Sequence, residues 1–438
     1  MAETTTEVPP ISTNATVFTF EERAASSLAL FGMSILCIVI GSICSAQHIR
    51  RQIEKKRLIE GSITMKEARM FPIFFSLALF GLYISLKPAA ERFLWVARVA
   101  QTLRVPEQYV EKIYSTIISY TSNSVVSTEP TEPTIEKTEL IEWLTLFVCF
   151  KGISNFASFF QPIITSLLKK ISLVPSCLQF NAPYLLSLKK CNKEMEEGDI
   201  EEAKKGEIEY LLKIDFDRNY IITLLLFSPI LSSHPNERHW ITNNIIGINV
   251  LILIIERVHL ASFKAGSLLL IGCFFYDIFW VFGTDVMTSV VKGTDAPTLL
   301  LFPLDIYRNG VWEANKHSML GLGDIGITGI FIALLRRFDY RIGQTTEETH
   351  AAKSHLKGRY YFAVTVIAYM AGLFIAMAVM HYFEAAQPAL LYLVPCCLFV
   401  PLILATVRGE LLEIWNYDEG KHVDNEENRK RVYSSKKN

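Results

Sequence analysis

Two aspartates lie inside long apolar stretches of this chain. Asp277 lies in the run 268–282, LLLIGCFFYDIFWVF, and Asp324 lies in the run 319–327, MLGLGDIGI. A carboxylate at the centre of a bilayer costs about 3 kcal/mol or more, so such residues are rare and by default mark catalysis, an ion path or a proton relay. The sequence therefore predicts that both aspartates are functional and that they act as a pair.

The two aspartates are expected to lie at the same depth in the membrane. An α-helix rises about 1.5 Å per residue. Counted from Lys264 and Arg336, which mark one membrane boundary, both carboxylates lie roughly 18 to 20 Å into the bilayer. Their spans are consecutive and run in opposite directions, so direct packing would bring the carboxylates face to face.

Two contacting carboxylates in a medium of low dielectric constant cannot both ionise at low cost, so one of them holds a proton. This arrangement fits aspartyl proteolysis. The ionised carboxylate takes a proton from a water molecule, the water attacks a peptide carbonyl, and the other carboxyl group protonates the developing oxyanion. A proton-coupled transporter or leak channel would use the same groups. A noncatalytic quality-control scaffold for membrane proteins is a third interpretation.

The composition predicts an all-α polytopic membrane protein. Of 438 residues, 50% are hydrophobic, the formal net charge is -1, and the mean hydropathy is +0.28. No basic patch is interleaved with exposed aromatic residues, so no nucleic-acid partner is expected. About nine apolar runs approach the length of a membrane-crossing helix. They are Ala24–Ala46, Phe71–Leu86, Leu140–Phe160, Tyr220–Leu231, Trp240–Ile255, Ala265–Met287, Ser318–Leu335, Tyr360–Tyr382 and Pro388–Val407.

Arginine and lysine clusters after the first and seventh spans and in the tail predict a lumenal amino terminus and a cytosolic carboxyl terminus. Asn14 begins a glycosylation acceptor tripeptide. The tail after Trp415 is polar and is expected to be disordered. The eight cysteines form no CxxC pair and are expected to be packing residues, with no metal site. The predicted regions are a lumenal segment 1–23, an amino-terminal membrane region 24–218 with a lumenal insertion 87–138 and a charged cytosolic loop 165–218, a catalytic membrane region 219–408, and a cytosolic tail 409–438.

Three short motifs follow in order along the catalytic region. They are YD at 276–277, GLGD at 321–324 and PAL at 388–390, the last within QPALLYLVP. Together they closely resemble the signatures of the presenilin-type intramembrane aspartyl proteases, and their wider context resembles the signal peptide peptidase branch. The resemblance is dense from about Trp240 onward.

The resemblance implies a protease of the endoplasmic reticulum membrane that cuts helices whose amino termini face the cytosol, including leftover signal peptides. It implies that Asp277 and Asp324 are the catalytic pair and that the only cofactor is the catalytic water. The expected partners are transmembrane helical substrates and the lipid bilayer, together with degradation machinery of the endoplasmic reticulum and a second copy of the chain.

Neighbouring residues are expected to support substrate binding. Glycine inside a helix costs about 1 kcal/mol relative to alanine, so Gly321 and Gly323 predict close approach of another backbone to Asp324. Pro388 favours the first turn of a helix, which would leave the amides of Ala389 and Leu390 free to bind a substrate carbonyl. Supporting roles are also assigned to Tyr276, Leu322 and Gln387; for Tyr276, hydrogen bonding and simple packing both stay open.

Two features of the sequence leave the fine geometry open. Gly326 and Thr328 stand where many signal peptide peptidases carry a bulkier residue and a proline. Thr328 would restore the backbone N–H that a proline removes from the Asp324 carbonyl. A straight-helix count also places Pro388 about 10 Å farther from the cytosol than the aspartates, which requires a tilted, kinked or longer last helix.

Overall fold

The computed structural model describes residues 18–54, 62–86, 139–170, 183–189, 210–236, 239–284, 286–287, 290, 297–314, 316–348, 360–383 and 387–419. These residues are mostly helical. The described helices are α1 (Phe20–Glu54), α2 (Met65–Leu86), α3 (Glu139–Lys170), α4 (Arg218–Asn236), α5 (Trp240–Arg257), α6 (Phe263–Phe282), α7 (Ile306–Asn309), α8 (Leu322–Glu348), α9 (Tyr360–Phe383), α10 (Leu390–Arg408) and α11 (Leu411–Trp415). The described strands are β1 (Ser62–Ile63), β2 (Pro183–Lys189), β3 (Tyr210–Asp217), β4 (His259–Leu260), β5 (Leu299–Pro303) and β6 (His317–Gly321).

Seven of the described helices are long and apolar enough to cross a membrane, namely α1, α2, α3, α5, α6, α9 and α10. They match seven of the predicted spans. Helices α4 and α8 cover the fourth and most of the seventh predicted span but do not reach the same apolar content over the described residues. The predicted all-α polytopic architecture is confirmed, and nine remains an approximate number of spans.

The seventh predicted span is wrong at its start. Residues 317–321 form strand β6, which pairs antiparallel with β5, and helix α8 begins only at Leu322. Short apolar runs suit a buried strand as well as a helix, and here pairing with Leu299–Pro303 decides. Asp324 therefore lies in the first turn of a helix rather than in the middle of one.

A second hairpin lies in the predicted charged loop 165–218. Strands β2 and β3 pair antiparallel from Pro183 with Asp217 to Lys189 with Tyr210. The charged residues between them fall outside the described ranges. Strands β1 and β4 form a two-residue parallel pair.

The two ends of the bundle are each held by an ion pair. At one end, which we call the hairpin end, Arg308 binds Glu22 of α1 through two contacts, with Nε 2.6 Å and Nη2 2.8 Å from the two carboxylate oxygens. At the other, the tail end, Arg337 of α8 lies 2.8 Å from Glu419, and both side chains are buried. Glu22 and the β5–β6 hairpin therefore share one side of the bundle.

The start of the tail is folded, which contradicts the predicted disorder after Trp415. Tyr417 and Glu419 are buried, and the Tyr417 carbonyl accepts a hydrogen bond from the backbone N–H of Phe263. The Glu419 N–H in turn donates to the Ala261 carbonyl. The polar sequence gave no sign of these partners, because they lie more than a hundred residues earlier in the chain.

Several predictions concern residues outside the described ranges, namely Asn14, the insertion 87–138, and the tail from 420 to 438. The six described cysteines are all free thiols: Cys37, Cys44, Cys149, Cys273, Cys396 and Cys397. Four of them are buried, which agrees with the predicted packing role.

Candidate active site

Asp277 is buried in the second half of α6, with 2% of its surface exposed. Helix α6 begins where the Ser262 side chain accepts a hydrogen bond from the Ala265 N–H, a standard N-cap. Oδ2 of Asp277 accepts a hydrogen bond of 3.0 Å from the backbone N–H of Leu390. A buried carboxylate needs such donors, because an unpaired charge in an apolar medium is costly.

The PAL segment supplies that donor through its turn into α10. The Pro388 and Ala389 carbonyls accept the N–H groups of Leu391 and Leu393, and α10 begins at Leu390. The expectation that the Leu390 amide is free for a substrate is therefore wrong. A helix start leaves its first N–H groups without intrahelical acceptors, and the Asp277 carboxylate takes the one at Leu390.

The PAL segment therefore meets Asp277 despite the straight-helix count. Helix α10 ends at Arg408, where Gly409 adopts a left-handed conformation with φ 72°, so a longer helix is excluded. Pro395 and Pro401 lie inside α10, at positions that cannot donate helical hydrogen bonds. A tilted or kinked α10 therefore accounts for the difference between the straight-helix count and the contact of Leu390 with Asp277.

Asp324 lies in the first turn of α8, directly after β6. A carboxylate in the first helical turn is favoured by the helix dipole. A Cβ atom added at Gly321 would lie 2.9 Å from Oδ2 of Asp324, so the absence of a side chain at Gly321 makes room for the carboxylate. Gly323 is exposed, and a Cβ there would meet no atom within 4 Å. The two glycines thus do different things: Gly321 accommodates Asp324, and Gly323 leaves the approach to it open.

The two carboxylates are within range of electrostatic interaction with each other. Cys273, one helical turn before Asp277, is close enough to interact electrostatically with both carboxylates. The predicted pair is thus brought together where α6, α8 and the start of α10 meet.

The remaining predicted support residues occupy distinct places. The Leu322 side chain is buried, and its N–H donates to the Thr298 carbonyl at the base of the hairpin. The Tyr276 ring packs against Phe75 and Trp280 and lines an open groove of about 480 Å³ between α2 and α6. Gln387 is half-buried at the entry to the PAL turn.

The structure shows the surroundings of Thr328 and Gly326, the two positions that differ from many signal peptide peptidases. The buried Thr328 hydroxyl donates to the Asp324 carbonyl at 2.7 Å, which satisfies the backbone group that a proline at this position would leave without its helical donor. A Cβ at Gly326 would lie 3.3 Å from the end of the Leu251 side chain, so a bulkier residue needs a shift there.

The main element that sequence reasoning missed is the β5–β6 hairpin and the amides that hold it. Both the N–H and the C=O of Leu301 bond the Asn244 side chain, and the Leu299 carbonyl accepts from the Asn243 side chain. Two adjacent asparagines in an apolar helix were the available signal. The two asparagine side chains thus occupy the outer edge of β5. The other outer edge of the two-stranded hairpin belongs to β6.

A bundle of apolar helices that brings the buried Asp277 and the half-buried Asp324 together beside a strand edge defines a polytopic membrane protein with an acidic site within the membrane. Among the described residues, no cluster of three or more His, Cys, Asp or Glu side chains has the geometry to hold a metal ion.

The chain belongs to the signal peptide peptidase family, whose model matches residues 54–421. It is 68% identical over 468 aligned positions to intramembrane protease 2 of Caenorhabditis elegans, with all of both chains covered. It is 41% identical over 216 residues to the human signal peptide peptidase, covering 49% of this chain and 54% of the human one. A probable intramembrane protease of Schizosaccharomyces pombe is 40% identical over 182 residues, covering 41% of this chain and 57% of that one. No solved structure matches the chain. The family and its named members indicate an intramembrane protease.

Proposed function

We propose that this protein is an aspartyl endopeptidase that hydrolyses peptide bonds within transmembrane helices, with Asp277 and Asp324 as its catalytic residues. The observation that carries the proposal is the meeting of these two carboxylates directly beyond the last residue of β6. Carboxylates placed only for ion movement need no strand beside them, whereas a peptidase must hold an unwound substrate backbone.

The proposed reaction uses one water molecule and no other cofactor. One carboxylate is ionised and takes a proton from the water molecule as the water oxygen attacks the scissile carbonyl carbon. The other carboxyl group is protonated and donates its proton to the developing oxyanion. The hydrogen bond from Leu390 stabilises negative charge on Asp277, which favours Asp277 as the group that accepts the proton. Asp324 then holds the proton that reaches the oxyanion. As the resulting diol collapses, the C–N bond breaks, Asp277 passes the proton it took from water to the leaving nitrogen, and Asp324 takes a diol proton back, which restores the starting state.

The β6 edge is the proposed binding place for the unwound substrate. In an antiparallel pair, every second residue directs its backbone N–H and C=O toward the partner strand. Here the Leu304 N–H donates to the Lys316 carbonyl and the Leu322 N–H donates to the Thr298 carbonyl, so residues 316 and 322 face β5 or its extension. By that alternation the backbone groups of Met319 and Gly321 face the opposite edge. An extended peptide added there would end its pairing beside Asp324, with its backbone groups satisfied inside the membrane.

We further propose a location in the endoplasmic reticulum membrane, with the amino terminus lumenal and Asn14 glycosylated. The pairing of Glu22 with Arg308 supports a common side for the amino terminus and the hairpin. Substrates would be signal peptide remnants and other segments whose amino termini face the cytosol. Degradation machinery of the endoplasmic reticulum and a second copy of the chain are proposed partners.

The test is cleavage of a synthetic signal peptide by the purified protein in lipid vesicles. We expect Asp277→Asn and Asp324→Asn each to abolish cleavage. Asp217→Asn is the control and should cleave at the wild-type rate. Asp217 is a half-buried aspartate of β3 that accepts a hydrogen bond from the Gln161 side chain of α3, outside the helices that carry Asp277 and Asp324. Undiminished cleavage by either of the first two variants would overturn the proposal. Loss of proton flux with intact cleavage would assign the carboxylates to transport instead.

A further inference from the structure

The outer edge of β5 is closed by side chains rather than by another strand. Nδ2 of Asn244 donates to the Leu301 carbonyl at 2.6 Å, and its Oδ1 accepts from the Leu301 N–H at 2.9 Å. Nδ2 of Asn243 donates to the Leu299 carbonyl at 2.7 Å. One primary amide thus bonds both groups of Leu301, as a neighbouring strand would.

Both asparagines are buried on α5, with 7% and 5% of their surfaces exposed. A buried amide that lost these partners would carry its full desolvation cost, so the contacts hold the hairpin firmly to the helix. At the base of the hairpin, a Cβ at Gly247 would lie 3.2 Å from the Leu322 side chain and 3.5 Å from the Pro297 carbonyl. The missing side chain at Gly247 therefore lets α5 approach closely just below the two amides.

The amide contacts have two consequences for the proposed substrate site. They remove the β5 edge as an alternative place for a peptide to pair, which leaves the β6 edge. They also fix the height of the hairpin along α5, and therefore the position of β6 and the start of α8 relative to Asp277 on α6. Pairing along a strand repeats every two residues, so a shifted hairpin would present a different peptide bond to the carboxylates.

We propose that Asn243 and Asn244 are positioning residues that set which peptide bond of the substrate is cut, by closing the β5 edge and fixing the register of β6. This inference rests on the proposed aspartyl endopeptidase function. The asparagines touch neither substrate nor reacting atoms; they act through the hairpin.

The experiment compares Asn244→Ala and Asn243→Ala with the wild type in vesicles, using a synthetic signal peptide and mass spectrometry of the products. We expect Asn244→Ala to add products displaced by about two residues and to lower kcat/KM about tenfold. Asn243→Ala, which loses one hydrogen bond to the hairpin instead of two, should give a smaller share of displaced products. Asn244→Asp retains the acceptor for the Leu301 N–H but loses the donor, so its product pattern should lie between those of the wild type and Asn244→Ala.

Asn249→Ala is the matched control. Asn249 is similarly buried on the same helix, but its Nδ2 donates within the helix, to the Ile245 carbonyl at 2.7 Å, rather than to β5. We expect this variant to retain the wild-type cleavage position. General loosening of α5 would instead shift the products of all the asparagine variants alike, and that result would overturn the inference.

The failure of this inference is distinguishable from failure of the proposed function. Wild-type products and kcat/KM from Asn243→Ala and Asn244→Ala, with cleavage that still requires Asp277 and Asp324, would overturn the positioning role alone. Labelling by a hydroxyl-bearing transition-state mimic shows that each variant has folded around its carboxylate pair. If Asn244→Ala does not label, Asn243→Ala and Asn244→Asp decide the question.

Discussion

The backbone N–H of Leu390 donates a hydrogen bond of 3.0 Å to the carboxylate of Asp277. This contact joins the start of α10 to the middle of the bundle, across 113 positions of sequence. It gives the PAL motif a role that its residue types alone do not suggest, because the donor is a backbone group. The side chain of Leu390 contributes by being buried, which keeps water from competing for the amide.

Replacing the Leu390 amide tests this contact. An ester in place of the amide at residue 390, with the leucine side chain kept, removes the N–H without a proline ring, which the αR conformation of Ala389 (φ -66°, ψ -34°) would disfavour. Hydrogen bonds to charged groups contribute about 1.5 to 3 kcal/mol, so we expect kcat to fall about tenfold to a hundredfold below that of the wild type, which keeps the N–H. Equal kcat values for the ester and the wild type, measured on a synthetic signal peptide, would show that the amide contributes nothing to catalysis.

Gly321→Ala should displace the Asp324 carboxylate, because the new Cβ would lie 2.9 Å from its Oδ2. A misplacement of about 1 Å costs about a hundredfold in rate, so we expect a loss of that order in kcat with intact folding. Gly32→Ala in α1 is the control, since a Cβ there meets no atom within 4 Å. Single-turnover cleavage rates measure both, and similar rates for the two variants would contradict the proposed role of Gly321.

The buried pair of Arg337 and Glu419 should stabilise the tail end of the bundle. Removing one partner of a buried ion pair costs about 3 to 5 kcal/mol, so Glu419→Ala should lower the thermal unfolding midpoint markedly. The exposed Glu413→Ala serves as the control and should leave the midpoint nearly unchanged. The double variant Arg337→Met, Glu419→Leu should recover much of the loss, because the uncompensated charge is gone. A double variant no more stable than Glu419→Ala would argue against this account.

Stability should also fall with acidification because of His259, which lies in β4, between α5 and α6. Burial first, and then the positive charges of Arg337, His48 and Arg257, lower the pKa of His259 to about 3. An unfolded histidine has a pKa of about 6.5, so the folded state resists a proton that the unfolded state takes up. The contribution of His259 is complete above about pH 6.5 and is lost progressively as the pH falls toward 3.

His259→Gln should therefore flatten the dependence of the unfolding midpoint on pH within that window. Thermal unfolding of the purified protein at stepwise pH values measures the effect. Parallel curves for the variant and the wild type would mean that other groups account for acid sensitivity.

The sequence predicted the apolar helices, since these depend on local composition, and Asp277 and Asp324 stand out in it because a carboxylate is costly in an apolar run. It failed at residues whose state depends on distant partners. The run from Ser318 to Gly321 fits a helix or a strand equally, and only pairing with β5 decides. Glu419 looked like part of a solvated tail because Arg337, its partner, lies 82 positions away. No sequence pattern indicates that the Leu390 amide has a tertiary acceptor, the Asp277 carboxylate.

The ion pair between Glu22 and Arg308 spans 286 positions of sequence. Contacts of such separation form late, since the intervening chain must first be ordered. During synthesis, Glu22 therefore stays without this partner until Arg308 and the hairpin have followed it. A nascent chain that carries Asp277 without residues 322–390 lacks both Asp324 and the Leu390 amide, so under the proposed function we expect no cleavage before residue 390 has been made.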